Sequence, residues 1–326
     1  MVPADLVVTD DSIYAAAWFD ERGLIARYSF DGQAQWTQEL ALDPTSKPEA
    51  MAWSADGFLM VLVRSSLFGT EQTLVQYSPD GEVLTTGALD DPSILVTDFL
   101  EVDGVILATG RRTIDDLHYG WLGVLDADGS VLETRFTHDR EGTFLRLAID
   151  GSGQPVVAGL VEPDPDEIIP HTGWVQALEL DGTPRWSMNP FNIAADVAGT
   201  PDGVLVQATT SNSVRELMAV DPQGNVQWSR PYSFVSDGTP LGLNVDAVGH
   251  PVVTLLAYGD PQEGAPTLHK LDADGSDLWS EEEPGGELYD VPVAQDFVPE
   301  TRAIVTLTQR GTFGNTGRVL LRLRNR

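Results

Sequence analysis

The sequence predicts an all-β fold, a seven-bladed β-propeller of four-stranded antiparallel blades with the last blade incomplete. Three observations lead there. One strand–turn–strand unit recurs along the whole chain, and a second Asp/Gly hairpin precedes most copies. No long segment has helical periodicity, and 31 glycines and 21 prolines punctuate the 326 residues.

The recurring unit is an apolar strand, a tight turn ending in glycine, then a second strand. It reads Ile25-Ala-Arg-Tyr-Ser-Phe-Asp-Gly32, Leu74-Val-Gln-Tyr-Ser-Pro-Asp-Gly81, Leu122-Gly-Val-Leu-Asp-Ala-Asp-Gly129, Val175-Gln-Ala-Leu-Glu-Leu-Asp-Gly182, Leu217-Met-Ala-Val-Asp-Pro-Gln-Gly224 and Leu268-His-Lys-Leu-Asp-Ala-Asp-Gly275. The glycines are separated by 49, 48, 53, 42 and 51 residues, the length of a propeller blade. A further copy, Val319 to Arg326, stops where its turn would fall. Earlier hairpins precede the runs Phe58–Val63, Val105–Ala108, Pro155–Ala158, Val204–Gln207 and Pro251–Leu255. Their Asp/Gly turns suit a hairpin because glycine accepts the positive φ it needs. Blades are therefore expected near 4–40, 48–89, 93–137, 143–189, 192–231, 239–282 and 287–326, in a single domain without a linker. Counted this way the last blade lacks its fourth strand. Either the first residues supply it or further chain does, and the second is the expectation here.

Composition narrows the function. The chain has 50 acidic and 19 basic side chains, a net charge of −31 and no cysteine. Phosphate would be repelled, so nucleic acid and anionic lipid are excluded as principal partners. Absence of cysteine removes disulfides, thiolate metal sites and cysteine nucleophiles. No stretch is long and apolar enough to span a bilayer as a helix, so no membrane insertion is expected. Met1-Val-Pro-Ala carries no signal-peptide pattern.

At the turns the sequence resembles the repeats of exported bacterial β-propellers of the pyrroloquinoline-quinone-like group, which run apolar-x-Asp-x-x-Gly-x-x-x-Trp. The Gly-to-Trp spacing recurs at Gly32/Trp36, Gly182/Trp186, Gly224/Trp228 and Gly275/Trp279, with Thr85 and Glu133 in the Trp place elsewhere. Gly120-Trp121 and Gly173-Trp174 resemble the entry of such repeats into a third strand. The resemblance covers the whole chain and implies an exported, periplasmic, cell-surface or extracellular protein, with a lipid anchor among the possibilities. The quinone enzymes of that group carry a vicinal cysteine pair, which is missing here, so the resemblance is to non-catalytic members. It also implies that the repeated tryptophans pack between neighbouring blades, and they are expected to be largely buried.

Catalytic signatures are sparse. Asp126-Ala-Asp128-Gly129 and Asp272-Ala-Asp274-Gly275 are half of a calcium loop, but the following residues offer few further oxygen ligands. They read as hairpin turns, so no cofactor is expected, with calcium the one to look for. The five histidines have no metal-binding spacing, and no nucleophile elbow, Walker loop or dinucleotide fingerprint occurs.

Binding is expected on the propeller face opposite the tight turns, where the connections are longer. Two of these stand out, Arg111–Tyr119 and Glu162–His171. The first offers Arg111, Arg112, Asp115, Asp116, His118 and Tyr119, and the second offers Asp164, Asp166, Glu167, Ile168, Ile169 and His171. Mixed arginine, aromatic and aliphatic side chains are what interface centres favour. The reading is a non-catalytic binding or scaffold propeller, monomeric, with a protein or glycan ligand. Its alternative is a calcium-dependent hydrolase, such as a lactonase, or a carbohydrate binder using the central funnel.

Overall fold

The structure, a computed structural model, describes residues 2–19, 22–40, 42, 46–65, 70–162, 172–191, 193–209, 215–232, 243–246, 248–256, 266–282, 289–298, 303–311 and 318–324. Among them every regular element is a strand. The first sheet holds β1 (Val2–Val8), β2 (Ile13–Phe19), β3 (Arg22–Tyr28) and β4 (Ala34–Glu39). The second holds β5 (Lys47–Trp53), β6 (Leu59–Arg64), β7 (Gln72–Tyr77) and β8 (Val83–Ala88). A seven-stranded sheet follows, made of β9 (Ile94–Val102), β10 (Val105–Ile114), β11 (Leu117–Leu125), β12 (Val131–Ile149), β13 (Pro155–Val161), β14 (Thr172–Leu178) and β15 (Pro184–Phe191). Next come β16 (Ile193–Thr200), β17 (Gly203–Thr209), β18 (Arg215–Val220) and β19 (Val226–Tyr232), then β20 (Leu243–Val245), β21 (Pro251–Leu256), β22 (Pro266–Leu271) and β23 (Asp277–Glu282). The last sheet is β24 (Tyr289–Val298), β25 (Ala303–Gly311) and β26 (Arg318–Arg324).

Within each sheet the strands pair antiparallel in chain order, and the sheets stand in a propeller arrangement. The first strands touch in a closed circuit, β1 to β5, β9, β12, β16, β20, β24 and back to β1. The seven-stranded sheet arises because β12 does two jobs. Its first half pairs with β11 as an outer strand, and its second half pairs with β13 as an inner one.

The pattern of burial follows from this stacking. A second strand has a neighbouring sheet on both faces, so it reads as an unbroken apolar run, and Leu59 to Val63 in β6 are all buried. The fourth strands lie at the rim, where Val83–Ala88 is almost entirely exposed. The turns behave as their sequence requires. Gly32, Gly81, Gly129, Gly182, Gly224 and Gly275 all have φ between 81° and 88°, the left-handed region open to glycine.

Two sets of bulges recur. In the first strands the register shifts at Ala4, Glu49, Thr97, Leu145, Ala195 and Val293. In the outer strands it shifts at Gln35, Leu84, Leu132, Arg185, Gln227 and Leu278, the residue just before the repeated Trp position. A bulge bends its strand and ends regular pairing along that edge.

The repeated tryptophans do lie between sheets, but they are half-buried rather than largely buried. The Trp36 indole N–H donates to the Pro79 carbonyl at 2.8 Å, Trp186 to Pro222 at 3.1 Å and Trp228 to Ala273 at 2.7 Å. Each acceptor is two residues before the turn glycine of the next sheet. That glycine lies on the indole, so a Cβ at Gly224 would come within 2.8 Å of Trp186. The ring stays half-exposed because it packs at the rim, where solvent reaches its outer edge. The fully buried tryptophan is Trp121 in β11.

Candidate functional site

The segment Arg111–Tyr119 is not a loop. β10 and β11 continue through it as a hairpin, paired from Ile106↔Leu125 to Ile114↔Leu117, and only Asp115 and Asp116 form the turn. Their φ angles are 51° and 65°, so two aspartates hold the left-handed conformations that such a turn demands. The hairpin displays Ile114 and Leu117, 43% and 41% exposed, with Asp115, Asp116 and His118. Below the tip the Thr113 hydroxyl meets His118 Nδ1 at 3.0 Å. Arg112 lies 3.6 Å from the Asp91 carboxylate and donates to Thr134 at 3.4 Å. Arg111 and Tyr119 are half-buried on the paired strands behind it. Asp164, Asp166, Glu167, Ile168, Ile169 and His171 lie outside the described residues.

A second constellation lies at the centre of the ring. In six of the seven first strands, all but β20, the residue just after the bulge has the same register, and the series reads Asp5, Ala50, Asp98, Arg146, Asp196 and Ala294. Three carboxylates and one guanidinium therefore share one belt. Asp5 accepts the N–H of Leu6 at 2.8 Å and that of Met51, in the next sheet, at 2.6 Å. Asp98 accepts from Phe99 and Leu147, both at 2.9 Å. Asp196 accepts from Val197 at 3.0 Å and Leu243 at 3.1 Å. Each carboxylate thus ties its own strand to the next one round. Two further ties join β20 to β24 and β24 to β1, where Asn244 donates to Asp296 at 3.2 Å and the Val8 N–H donates to Asp296 at 2.7 Å.

The belt is electrostatically unbalanced. Arg146 Nε is 3.7 Å from Asp196, and the fields of Asp98 and Asp5 also reach it. The Arg146 and Asp196 side chains keep 50% and 15% of their surface accessible, while the packed first strands crowd the carboxylates. That desolvation pushes Asp5 up to about 7, against the lowering effect of its two N–H donors and Arg146. It raises Asp196 to about 6 and Asp98 in the same direction. Sequence reasoning passed over this belt. Its mark in the sequence is faint, a charged residue directly before Phe99, Leu147 and Val197.

The paired turn aspartates serve their own turns. Asp128 Oδ1 accepts the Ser130 N–H at 3.0 Å and also the Ser130 hydroxyl, and Asp274 does the same with Ser276. Among the described residues no group of three or more His, Asp or Glu is arranged to hold a metal ion. The tight-turn side is less polar than its Asp and Gly content implies. Leu132, Leu84 and Leu278 are 62%, 50% and 48% exposed, because the outer-strand bulge turns them away from the sheet.

No protein-family model and no curated protein matches the sequence. Solved structures match the fold. The propeller of Dos1 is 14% identical, with a TM-score of 0.59 over 93% of this chain and 74% of that one. A chain of the mitotic checkpoint complex is 14% identical, with a TM-score of 0.64 over 98% and 86%. A puromycin hydrolase is also 14% identical, with a TM-score of 0.63 over 100% of this chain and 53% of that one. Such low identities establish a β-propeller and leave its chemistry to the site itself.

Proposed function

We propose that this chain is a non-catalytic binding or scaffold propeller of seven blades, the seven-stranded sheet counting as two blades that share β12. The closed circuit of first strands supports that count, and the Asp/Gly/Trp repeats support kinship with the pyrroloquinoline-quinone-like group. On the same resemblance the protein is exported and binds a protein or glycan. A chain of the mitotic checkpoint complex shows that this fold can serve in a protein assembly.

One observation carries the non-catalytic reading. Asp5, Asp98 and Asp196 each hold two backbone N–H donors and share Arg146. Carboxylates engaged in this way join blades, and a guanidinium stands among them where a hydrolase would place its cation. Recognition then falls to the rim of the β10–β11 face. Ile114 and Leu117 supply apolar contact there, with Arg111, Arg112, Asp115, Asp116, His118 and Tyr119 around them. Asp164, Asp166, Glu167, Ile168, Ile169 and His171 belong to the neighbouring connection and extend the same proposal.

The test is capture of partners from an extracellular or periplasmic fraction by the parent and by folded Arg112→Ala and Leu117→Asp variants. Loss of the same partner with both variants supports the reading, and unchanged capture by both moves the site elsewhere. A rise in melting temperature with millimolar calcium, abolished by chelation, would favour the calcium-dependent hydrolase instead.

A further inference from the structure

We propose that a cleft between the first strands β1, β5 and β9 binds a small monocarboxylate. It has a volume of about 180 Å³ and is lined by Ala4, Lys47, Pro48, Glu49, Arg64 and Thr97. Three of these, Ala4, Glu49 and Thr97, are the bulge residues of β1, β5 and β9. The bulges that set the axial belt therefore also shape this cleft, one step along the strands.

The cleft is cationic in a chain that is not. Lys47 and Arg64 face each other in the β5–β6 register, against the single carboxylate of Glu49. The sequence has only two lysines. The other, Lys270, sits 2.8 Å from the buried Asp246 carboxylate. Lys47 makes no ion pair among the described residues, so its charge is available to a ligand.

Arg64 is held ready by a relay. Its guanidinium pairs with Glu49, and Glu49 accepts the Gln72 amide N–H at 2.8 Å. Gln72 in turn is fixed by the Val96 backbone, accepting its N–H at 2.7 Å and donating to its carbonyl at 2.6 Å. Arg64 Nε is left without an acceptor. The Thr97 hydroxyl is committed to the Phe144 carbonyl at 2.7 Å, which fixes that wall of the cleft. A guanidinium positioned in advance loses little entropy on meeting an anion.

Size and charge limit the ligand. One net positive charge, with Asp5 and Asp98 adjacent along the strands, suits a single negative charge and opposes a dianion. Ala4 and Pro48 offer an apolar wall for a short aliphatic chain. A monocarboxylate of a few carbons fits both requirements, and phosphate or a dicarboxylate fits neither. This site goes beyond the reading above and stands whether or not a partner binds the β10–β11 face.

The test is titration of the whole chain with sodium propionate at fixed ionic strength, using sodium chloride as the control and following backbone amide NMR signals. Saturable shifts at Ala4, Glu49 and Thr97 are expected, with a dissociation constant of about 1–10 mM. Lys47→Met should weaken binding at least about tenfold, and Lys47→Arg should restore most of it. Shifts no larger than chloride produces, or binding unchanged in Lys47→Met, would overturn the site. Malonate or phosphate binding as tightly as propionate would overturn the ligand class.

Discussion

Five junctions between successive repeats can be compared, and they divide into two kinds. Where the first sheet meets the second, and where β15 and β19 meet the sheets that follow them, a tryptophan fills the gap and the next turn glycine rests on it. The two junctions between these have no tryptophan, since Thr85 and Glu133 stand in its place. There the backbones themselves close in. A Cβ at Gly87 would overlap the Asp128 carbonyl, and one at Gly182 would overlap the Arg135 carbonyl. What does not change is the hydrogen bond. The carbonyl two residues before each turn glycine receives a side-chain donor at all five junctions. Gln76 serves Ala127 at 2.8 Å and Arg135 serves Leu180, in place of an indole. The apolar filler is therefore exchangeable between junctions, and the polar requirement is not.

The sharpest way to break this comparison is Gly87→Ala. In a close junction the added methyl meets backbone that cannot rotate away, so a loss of about 3–5 kcal/mol is expected in denaturant unfolding. A loss under about 1 kcal/mol would mean that the junction is loose. Trp186→Ala follows, at about 2–4 kcal/mol, below the cost of a fully buried indole because the ring is half-exposed. Trp186→Phe should keep most of the packing and lose the bond to Pro222. Gln76→Leu tests the polar rule alone. It leaves the Ala127 carbonyl without its donor, at about 1–3 kcal/mol, and a neutral result would show that water replaces the amide.

A smaller effect separates the axial belt from the rim. Folded Asp5 holds its proton up to about 7, whereas the unfolded chain releases it near 3.8, the ordinary value of an aspartate. Between these limits the native state binds more protons, so the contribution of Asp5 to stability falls as pH rises through the window. Asp5→Asn should flatten that decline, measured as the difference from parent between about pH 4 and pH 7.5. Equal slopes would place the titration elsewhere. Rim aspartates such as Asp128 and Asp181 are shifted downward by hydrogen bonds from Ser130 and Thr183, and contribute in the opposite sense at lower pH.

The repeats made the strands and turns legible, because glycine at positive φ and tryptophan at fixed spacing leave a mark on every copy. Substituted functions left none. Gln76 lies on β7, opposite Thr85 in register, and not at the Trp position, so counting along the repeat cannot find it. The axial belt was hidden in a similar way. Its members follow a bulge, and the interval from Asp5 to the equivalent Ala50 is shorter than that from Asp98 to Arg146. The β10–β11 tip was misread because its turn is Asp-Asp, a pair that takes left-handed φ less readily than Asp-Gly.

The bulges of the outer strands bear on how the protein behaves in a crowd. A ring of sheets presents a row of strand edges to its surroundings, and each is a template for pairing with another molecule. In six outer strands the edge is interrupted, at Gln35, Leu84, Leu132, Arg185, Gln227 and Leu278, whereas β26 pairs from Arg318 to Arg324 without a shift. A foreign strand can align with only a few residues before the register shifts. Charge repulsion keeps molecules apart in dilute salt, but it fades beyond about 10 Å once ionic strength reaches about 0.1 M. A kinked edge hinders pairing at any salt concentration, so at these six strands the protection lies in the backbone and outlasts the screening of the acidic surface.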